Sequence, residues 1–175
     1  MPGFYVYLIA SLPMLHFGVK PAISLEKFMQ ACRELLSEED NKILAACAQQ
    51  NTYENKINQA TLNKWRVFDT ILRNELVKIR AGYKKIDPAK YLRQDGITES
   101  YIFHLSLSAH RNPSILEGEK MLDEGRWHLL DDLAQGHYFD LDFLLVYCLK
   151  LLILEKWEKI NDSDKKKSLE EALRS

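Results

Sequence analysis

The stretch Leu141-Asp142-Phe143-Leu144-Leu145-Val146-Tyr147-Cys148-Leu149-Lys150-Leu151-Leu152-Ile153-Leu154 decides the fold. Asp142 and Lys150 are its only charges, and its apolar side chains fall on every side of a helical wheel. A helix without a polar face belongs in the middle of a bundle. Spanning a bilayer takes about 20 apolar residues, so this run is too short, and Lys150 interrupts it. Asp140 stands at the capping position, and the spacing predicts a helix from 141 to about 160.

Immediately upstream, Asn112-Pro113 carries the signature of a capping residue followed by proline at the first helical position. A helix to about Ala134 follows, closed by Gly136. The linking loop is only a few residues, so the helices over about 113–135 and 141–160 are predicted to form a central antiparallel pair. Gly118, Leu122, Gly125, Leu129 and Leu133 share one face of the first helix. Glycine costs about 1 kcal/mol per site in a helix interior, so two on one face point to close approach of a neighbouring helix. The other face carries Leu116, Asp123, Trp127, Leu130 and Asp131, with Trp127 expected opposite 147–151 and Glu155 or Glu158 reaching across. Arg126 offers a planar cation to Glu119, Asp123 and Asp131 on its own helix, which reads equally as a surface charge lattice.

Working outward, Ser24 caps a helix from 25 to about 36, and Ser37 with Asp40 opens a second to about Ala48. Residues 49–58 read as a polar loop. Trp65, Phe68, Leu72, Leu76, Ile79 and Tyr83 recur at spacings of three and four, one apolar stripe on a long helix over 61–83, with Arg66, Arg73 and Lys78 off it. Asp87-Pro88 opens a short helix from Ala89 to Arg93, and Asp95-Gly96 marks a turn. The segment 101–107 fits helix and strand alike. Asp162 or Ser163 is predicted to cap a separate, charged helix over about 163–174 that protrudes from the domain. Its opening Lys165-Lys166-Lys167 opposes the helix dipole and makes it marginal alone.

Composition agrees with an all-α reading. The chain has 175 residues, with 27 Leu against 5 Val and 4 Thr, and only 7 Gly and 5 Pro. That length suits a single all-helical domain over 1–175, and no internal repeat is visible. A net charge of −1 argues against a dedicated nucleic-acid binder. Within it, however, Lys78, Arg80, Lys84, Lys85, Lys90 and Arg93 cluster with Tyr83 and Tyr91 interleaved. That stretch fits phosphates, a solvated face or an acidic partner. The apolar start of the chain has no basic residue ahead of it and is broken by Pro13, so it reads as folded structure rather than a leader.

Catalytic signatures are missing from the sequence. It holds no glycine-rich phosphate loop, no G-x-S-x-G and no H-E-x-x-H. Cys32, Cys47 and Cys148 are odd in number and far apart, which reads as three reduced, buried thiols. His137 lies near Asp140, but no Glu-x-x-His pair accompanies it. No catalytic, metal or cofactor site is predicted.

Asn112-Pro113, Glu119, Leu122-Asp123, Arg126-Trp127, Leu130-Asp131, Gly136-His137-Tyr138-Phe139-Asp140 and the run from 147 to Trp157 resemble an uncharacterised bacterial family encoded beside V-type ATPase subunits. Tyr5-Val6-Tyr7-Leu8-Ile9-Ala10-Ser11-Leu12-Pro13 with Phe17-Gly18 extends the likeness. Tyr5-Val6-Tyr7, Leu72-Arg73-Asn74-Glu75-Leu76, Ile79-Arg80-Ala81 and Asp87-Pro88-Ala89-Lys90-Tyr91-Leu92 look like the funnel-like, all-helical central-stalk subunit of V-type ATPases. That family sits between the rotor shaft and the membrane ring. This chain is shorter than its members and lacks their internal repetition.

The resemblance implies a non-catalytic, cytoplasmic subunit, peripheral to the inner membrane. Its partners would be the central-stalk and membrane-ring subunits of a proton- or sodium-translocating rotary ATPase. The contact residues expected are Arg73, Arg80, Tyr83, Arg126, Trp127 and Asp131. An assembly or regulatory adaptor of that complex is the competing expectation, and a helical nucleic-acid-binding module using 78–93 is a third.

Overall fold

The computed structural model describes residues 5–49, 58–93 and 99–174, and of 164–174 the helical backbone only. Among these residues are seven α-helices, one 3-10 turn and no strand. The all-α class follows directly, and the ambiguous segment 101–107 is helical. The helices are α1 (Val6–Ser11), α2 (Leu25–Leu35), α3 (Glu38–Ala48), α4 (Ala60–Lys84), α5 (Ser100–Arg111), α6 (Ile115–Ala134) and α7 (Leu141–Arg174), with the 3-10 turn at Pro88–Tyr91. The loop expected at 49–58 and the turn at Asp95-Gly96 fall almost wholly outside the described residues. No helix among those described is long and apolar enough to cross a membrane.

The chain divides into two compact units. The outer unit joins Met1–Asn55 to Ala134–Ser175, and the middle unit is Lys56–Leu133. The middle unit gathers its own apolar cluster: Ile71, Leu72 and Leu76 of α4, Ile102 and Ala109 of α5, and Leu122 of α6.

In the outer unit, α7 is buried along Leu144–Leu149 without a break, as its missing polar face requires. Here α2 and α3, from the start of the chain, pack on it, with the Phe28 and Tyr147 rings 5.1 Å apart. The preceding helix, α6, belongs to the middle unit up to Leu133. Ser24 Oγ accepts from Lys27 N–H and Ser37 Oγ from Asp40 N–H, so both predicted caps form. Tyr5 completes the second: its hydroxyl donates to the Asp40 carboxylate and accepts from Ser37 N–H. Asn41 Nδ2 closes the corner between α2 and α3 by donating to Leu36 C=O at 3.2 Å. Tyr147 OH donates to Pro13 C=O at 2.8 Å, tying the apolar start of the chain to α7.

Two helix boundaries differ from expectation. α7 runs unbroken through 162–163, because Ser163 Oγ donates back to Lys159 C=O, one turn earlier, and caps nothing. The charged segment 163–174 is therefore the continuation of α7. α6 begins at Ile115, after Pro113: Asn112 Oδ1 accepts from Ser114 N–H, and Ser114 Oγ accepts from Glu117 N–H as the cap. Glu155 and Glu158 are also spent within the outer unit. Glu155 Oε1 accepts from Leu25 N–H at 2.8 Å, and Glu158 pairs with Lys20.

In the middle unit the predicted close approach is made by α5. A Cβ at Gly118 would meet the Ala109 carbonyl oxygen at 2.6 Å, and one at Gly125 the Leu105 side chain at 2.3 Å. Tyr83 near the end of α4 lies against His110 near the end of α5, ring centroids 4.8 Å apart. Those two helix ends are thus neighbours, and the 3-10 turn at Pro88–Tyr91 packs against α4.

Candidate functional site

The contact residues expected from the sequence lie on α4 and α6, both in the middle unit. Asp69, buried on α4, brings two of them together. Its Oδ1 accepts from Arg126 Nε at 3.0 Å and its Oδ2 from Arg73 Nε at 2.7 Å. Arg126 Nη1 donates at 2.8 Å to Asp123 Oδ1, one turn earlier on α6. Burial disfavours the charged form of Arg126, but Asp69 and Asp123 outweigh it and hold the guanidinium above its ordinary range. Two arginines and two aspartates balance, which is what permits the group to be enclosed.

This geometry separates the expected contact residues. Arg126 (side chain 14% exposed) and Trp127 (6% exposed) are turned inward. Of the carboxylates expected to meet Arg126, Asp123 does. The other is Asp69, which the sequence patterns do not single out. A signal is present: a carboxylate four residues before Arg73, beside Phe68 on the apolar stripe. Asp131 is exposed on α6. Arg73 is half-exposed, while Arg80 and Tyr83 are exposed on the last turns of α4.

Beyond Tyr83 the chain forms a rigid return. Asn74, buried on α4, holds both backbone groups of Arg93: Nδ2 donates to its C=O at 3.1 Å, and Oδ1 accepts from its N–H at 3.0 Å. Asp87 caps the 3-10 turn by accepting from Ala89 N–H, so the turn starts one residue before the predicted short helix and ends at Tyr91. Lys78 is paired with Glu75 at 2.8 Å. The side chains of Arg80, Lys84, Lys85 and Lys90 are exposed and have no ion-pair or hydrogen-bond partner among the described residues.

Two other clusters have structural explanations. Asp140 Oδ1 accepts from Phe143 N–H and caps α7, while its Oδ2 lies 2.7 Å from His137 Nδ1. Asp142 Oδ2 is 3.9 Å from the same nitrogen. These three side chains bring ligand atoms within 4.8 Å of one another, at a helix start whose dipole opposes a cation. The three cysteines are free and buried, as expected. Burial pushes the Cys32 thiol up to about 12. A hydrogen bond with Cys47, reinforced by burial, raises Cys148 well above the usual range. Both thiols stay protonated near neutral pH, unlike nucleophilic cysteines.

Two grooves open on the outer unit, one lined by Ser24, Leu25, Met29, Arg33 and Glu155, the other by Val19, Lys20, Trp157 and Glu158. In the first, Ser24 and Glu155 already accept from the opening N–H groups of α2.

Over residues 100–173, from the start of α5 into the end of α7, the chain is similar to a family described as "Protein of unknown function (DUF2764)". The match covers less than half of the chain. Neither a curated protein nor a solved structure matches.

Proposed function

We propose that this chain is a non-catalytic component of a bacterial V-type rotary ATPase, resembling its funnel-like central-stalk subunit and linking the stalk to the membrane ring. It works peripherally to the membrane, through partner proteins of the complex. The observation that carries the reading is that the stretches bearing the resemblance are tied together within each unit. In the outer unit, Tyr5 N–H donates to Phe139 C=O at 2.7 Å and Tyr147 bonds Pro13. In the middle unit, Asn74 of the Leu72–Leu76 motif holds the end of the segment begun by Asp87-Pro88. Side chains placed so are tools of rigidity, which a torque-bearing linker needs.

The test is isolation of the ATPase from membranes of a strain carrying the tagged chain. Recovery of the catalytic subunits in a fixed ratio to it supports the stalk reading. Recovery of the tagged chain from intact membranes without the catalytic subunits counts against it. A ratio that falls as assembly completes identifies the competing role, an assembly or regulatory adaptor.

A further inference from the structure

The end of α4 is built against its own stability at two positions. The helix closes with Ile86 N–H donating to Ala81 C=O at 3.1 Å and Lys85 N–H to Gly82 C=O at 3.3 Å, a Schellman arrangement. The residue that must turn left-handed there is Lys85, at φ +54°, the one non-glycine residue with positive φ among those described. Glycine is the usual occupant, because a Cβ is strained in that conformation. Three residues earlier Gly82 sits inside the helix, where a Cβ would meet nothing within 4 Å. Neither crowding nor backbone geometry explains it, and alanine would favour the helix. Glycine stands where a side chain would stabilise, and lysine where glycine would. Both are exposed.

The surface they share is cationic and aromatic. Residues 78–93 hold six cations and one acid, Asp87, whose carboxylate is occupied by the Ala89 N–H. Tyr83, Ile86 and Tyr91 are exposed beside the unpaired cations, at 65%, 48% and 61%. The Asn74 clamp and the 3-10 turn hold the backbone that carries these groups, so side chains rather than backbone are ordered on binding.

We infer that the end of α4 and the 3-10 turn form a docking surface for an acidic, amphipathic segment of a protein partner. Arg80, Lys84, Lys85 and Lys90 meet its carboxylates, Tyr83, Ile86 and Tyr91 its apolar side chains, and Gly82 allows close approach. A protein segment fits better than a nucleic acid. The same unit exposes Glu117, Glu124, Asp131 and Asp132 on α6, and these carboxylates disfavour a long phosphate backbone. The inference deepens the stalk reading and rests on it only for the partner's identity.

The test uses the purified full chain and a fluorescent amphipathic peptide with glutamates on one face and leucines on the other. The expected result is salt-sensitive binding that Lys84→Glu/Lys85→Glu weakens by about tenfold or more, whereas Lys27→Glu/Lys42→Glu on the outer unit does not. The pair Gly82→Ala/Lys85→Gly should raise the thermal midpoint and lower peptide affinity together. Tighter binding of oligouridylate than of the peptide overturns the inference, as does peptide affinity indifferent to Lys84 and Lys85. If peptide binding behaves as expected but the tagged chain does not co-purify with the ATPase, the stalk reading falls and this surface stands. If co-purification survives Lys84→Glu/Lys85→Glu, this inference falls alone.

Discussion

Arg126 on α6 and Asp69 on α4, 57 positions apart in sequence, meet at 3.0 Å with side chains only 14% and 4% exposed. The same carboxylate also takes Arg73, half in water, at 2.7 Å. One anion thus serves a buried cation and a surface cation, and the two contacts are worth different amounts. The buried one fixes how α4 and α6 sit within the middle unit. The surface one competes with solvent.

Arg126→Met should destabilise the protein by about 3–5 kcal/mol, because Asp69 and Asp123 are left as enclosed charges without their shared partner. Arg73→Met should cost no more than about 1 kcal/mol. Urea unfolding of the two variants separates them. Equal losses would mean that burial does not govern the pairing.

Gly118→Ala and Gly125→Ala should differ in severity. At Gly118 the new methyl meets a backbone carbonyl of α5 at 2.6 Å, which only a helix shift relieves, at about 1–3 kcal/mol. At Gly125 it meets the end of the Leu105 side chain, which can rotate away. There the helix-propensity gain of about 1 kcal/mol offsets much of the strain. A Gly125 variant less stable than the Gly118 variant would contradict the packing described.

Legibility in the sequence follows range. The caps at Ser24, Ser37, Asp87 and Asp140 are patterns within one helical turn, and each forms as read, while the stripe on α4 is buried at Leu72 and Leu76 and open at Tyr83. The end predicted at 162–163 fails because Ser163 serves a cap and a mid-helix back-bond equally well, and local sequence does not choose between them. Arg126 reads as a surface residue because the companion that draws it inward, Asp69, has no signal linking it to α6. The pairing of α7 with α2 and α3 is equally non-local. Its apolar circumference tells that it is covered, and not by what. The exposed contact candidates Arg80 and Tyr83 are legible from charge and spacing, but the αL lysine beside them is not.

Ser106 on α5 is fully buried, and its Oγ finds no hydrogen-bond partner among the described residues. An enclosed hydroxyl without a partner costs about 1–3 kcal/mol. Ser106→Ala should therefore raise the thermal midpoint, with the added benefit of better helix propensity. A lower midpoint would show that the hydroxyl is satisfied in solution.

Alkaline pH should weaken the fold through groups that are neutral when buried. Burial raises the Tyr147 phenol from 10.0 to about 12 and the Cys32 thiol from 9.0 to about 12. Between those values the unfolded chain releases protons that the folded chain keeps, so the unfolded state binds fewer protons and stability falls as pH rises. The contribution is intact below pH 9, begins to fall there with Cys32, steepens at pH 10 with Tyr147 and levels near pH 12. Tyr147→Phe loses the bond to Pro13 and should be less stable by about 1 kcal/mol at neutral pH. Because phenylalanine has no proton to release, the gap between variant and parent should narrow above pH 10, read from urea midpoints across pH. A constant gap would mean that Tyr147 ionises as easily folded as unfolded.

Asn74 sets the last prediction, because its amide supplies both halves of a backbone-like pair with Arg93. Asn74→Ala leaves the Arg93 N–H and C=O without their buried partner and should cost about 1–3 kcal/mol. Asn74→Asp keeps an acceptor for the N–H but has no donor for the C=O, so it should lose one bond and keep the other. Hydrogen exchange reads the consequence locally: amides at 89–93 should exchange faster in the alanine variant, while those of α2 and α3 in the outer unit keep their protection. Because the clamp holds the cationic surface in place, the same variant should also bind the acidic peptide more weakly, with every lysine still present. Faster exchange at 89–93 with full peptide affinity would show that the surface needs its charges but not its rigidity. Unchanged exchange there would remove Asn74 as the clamp.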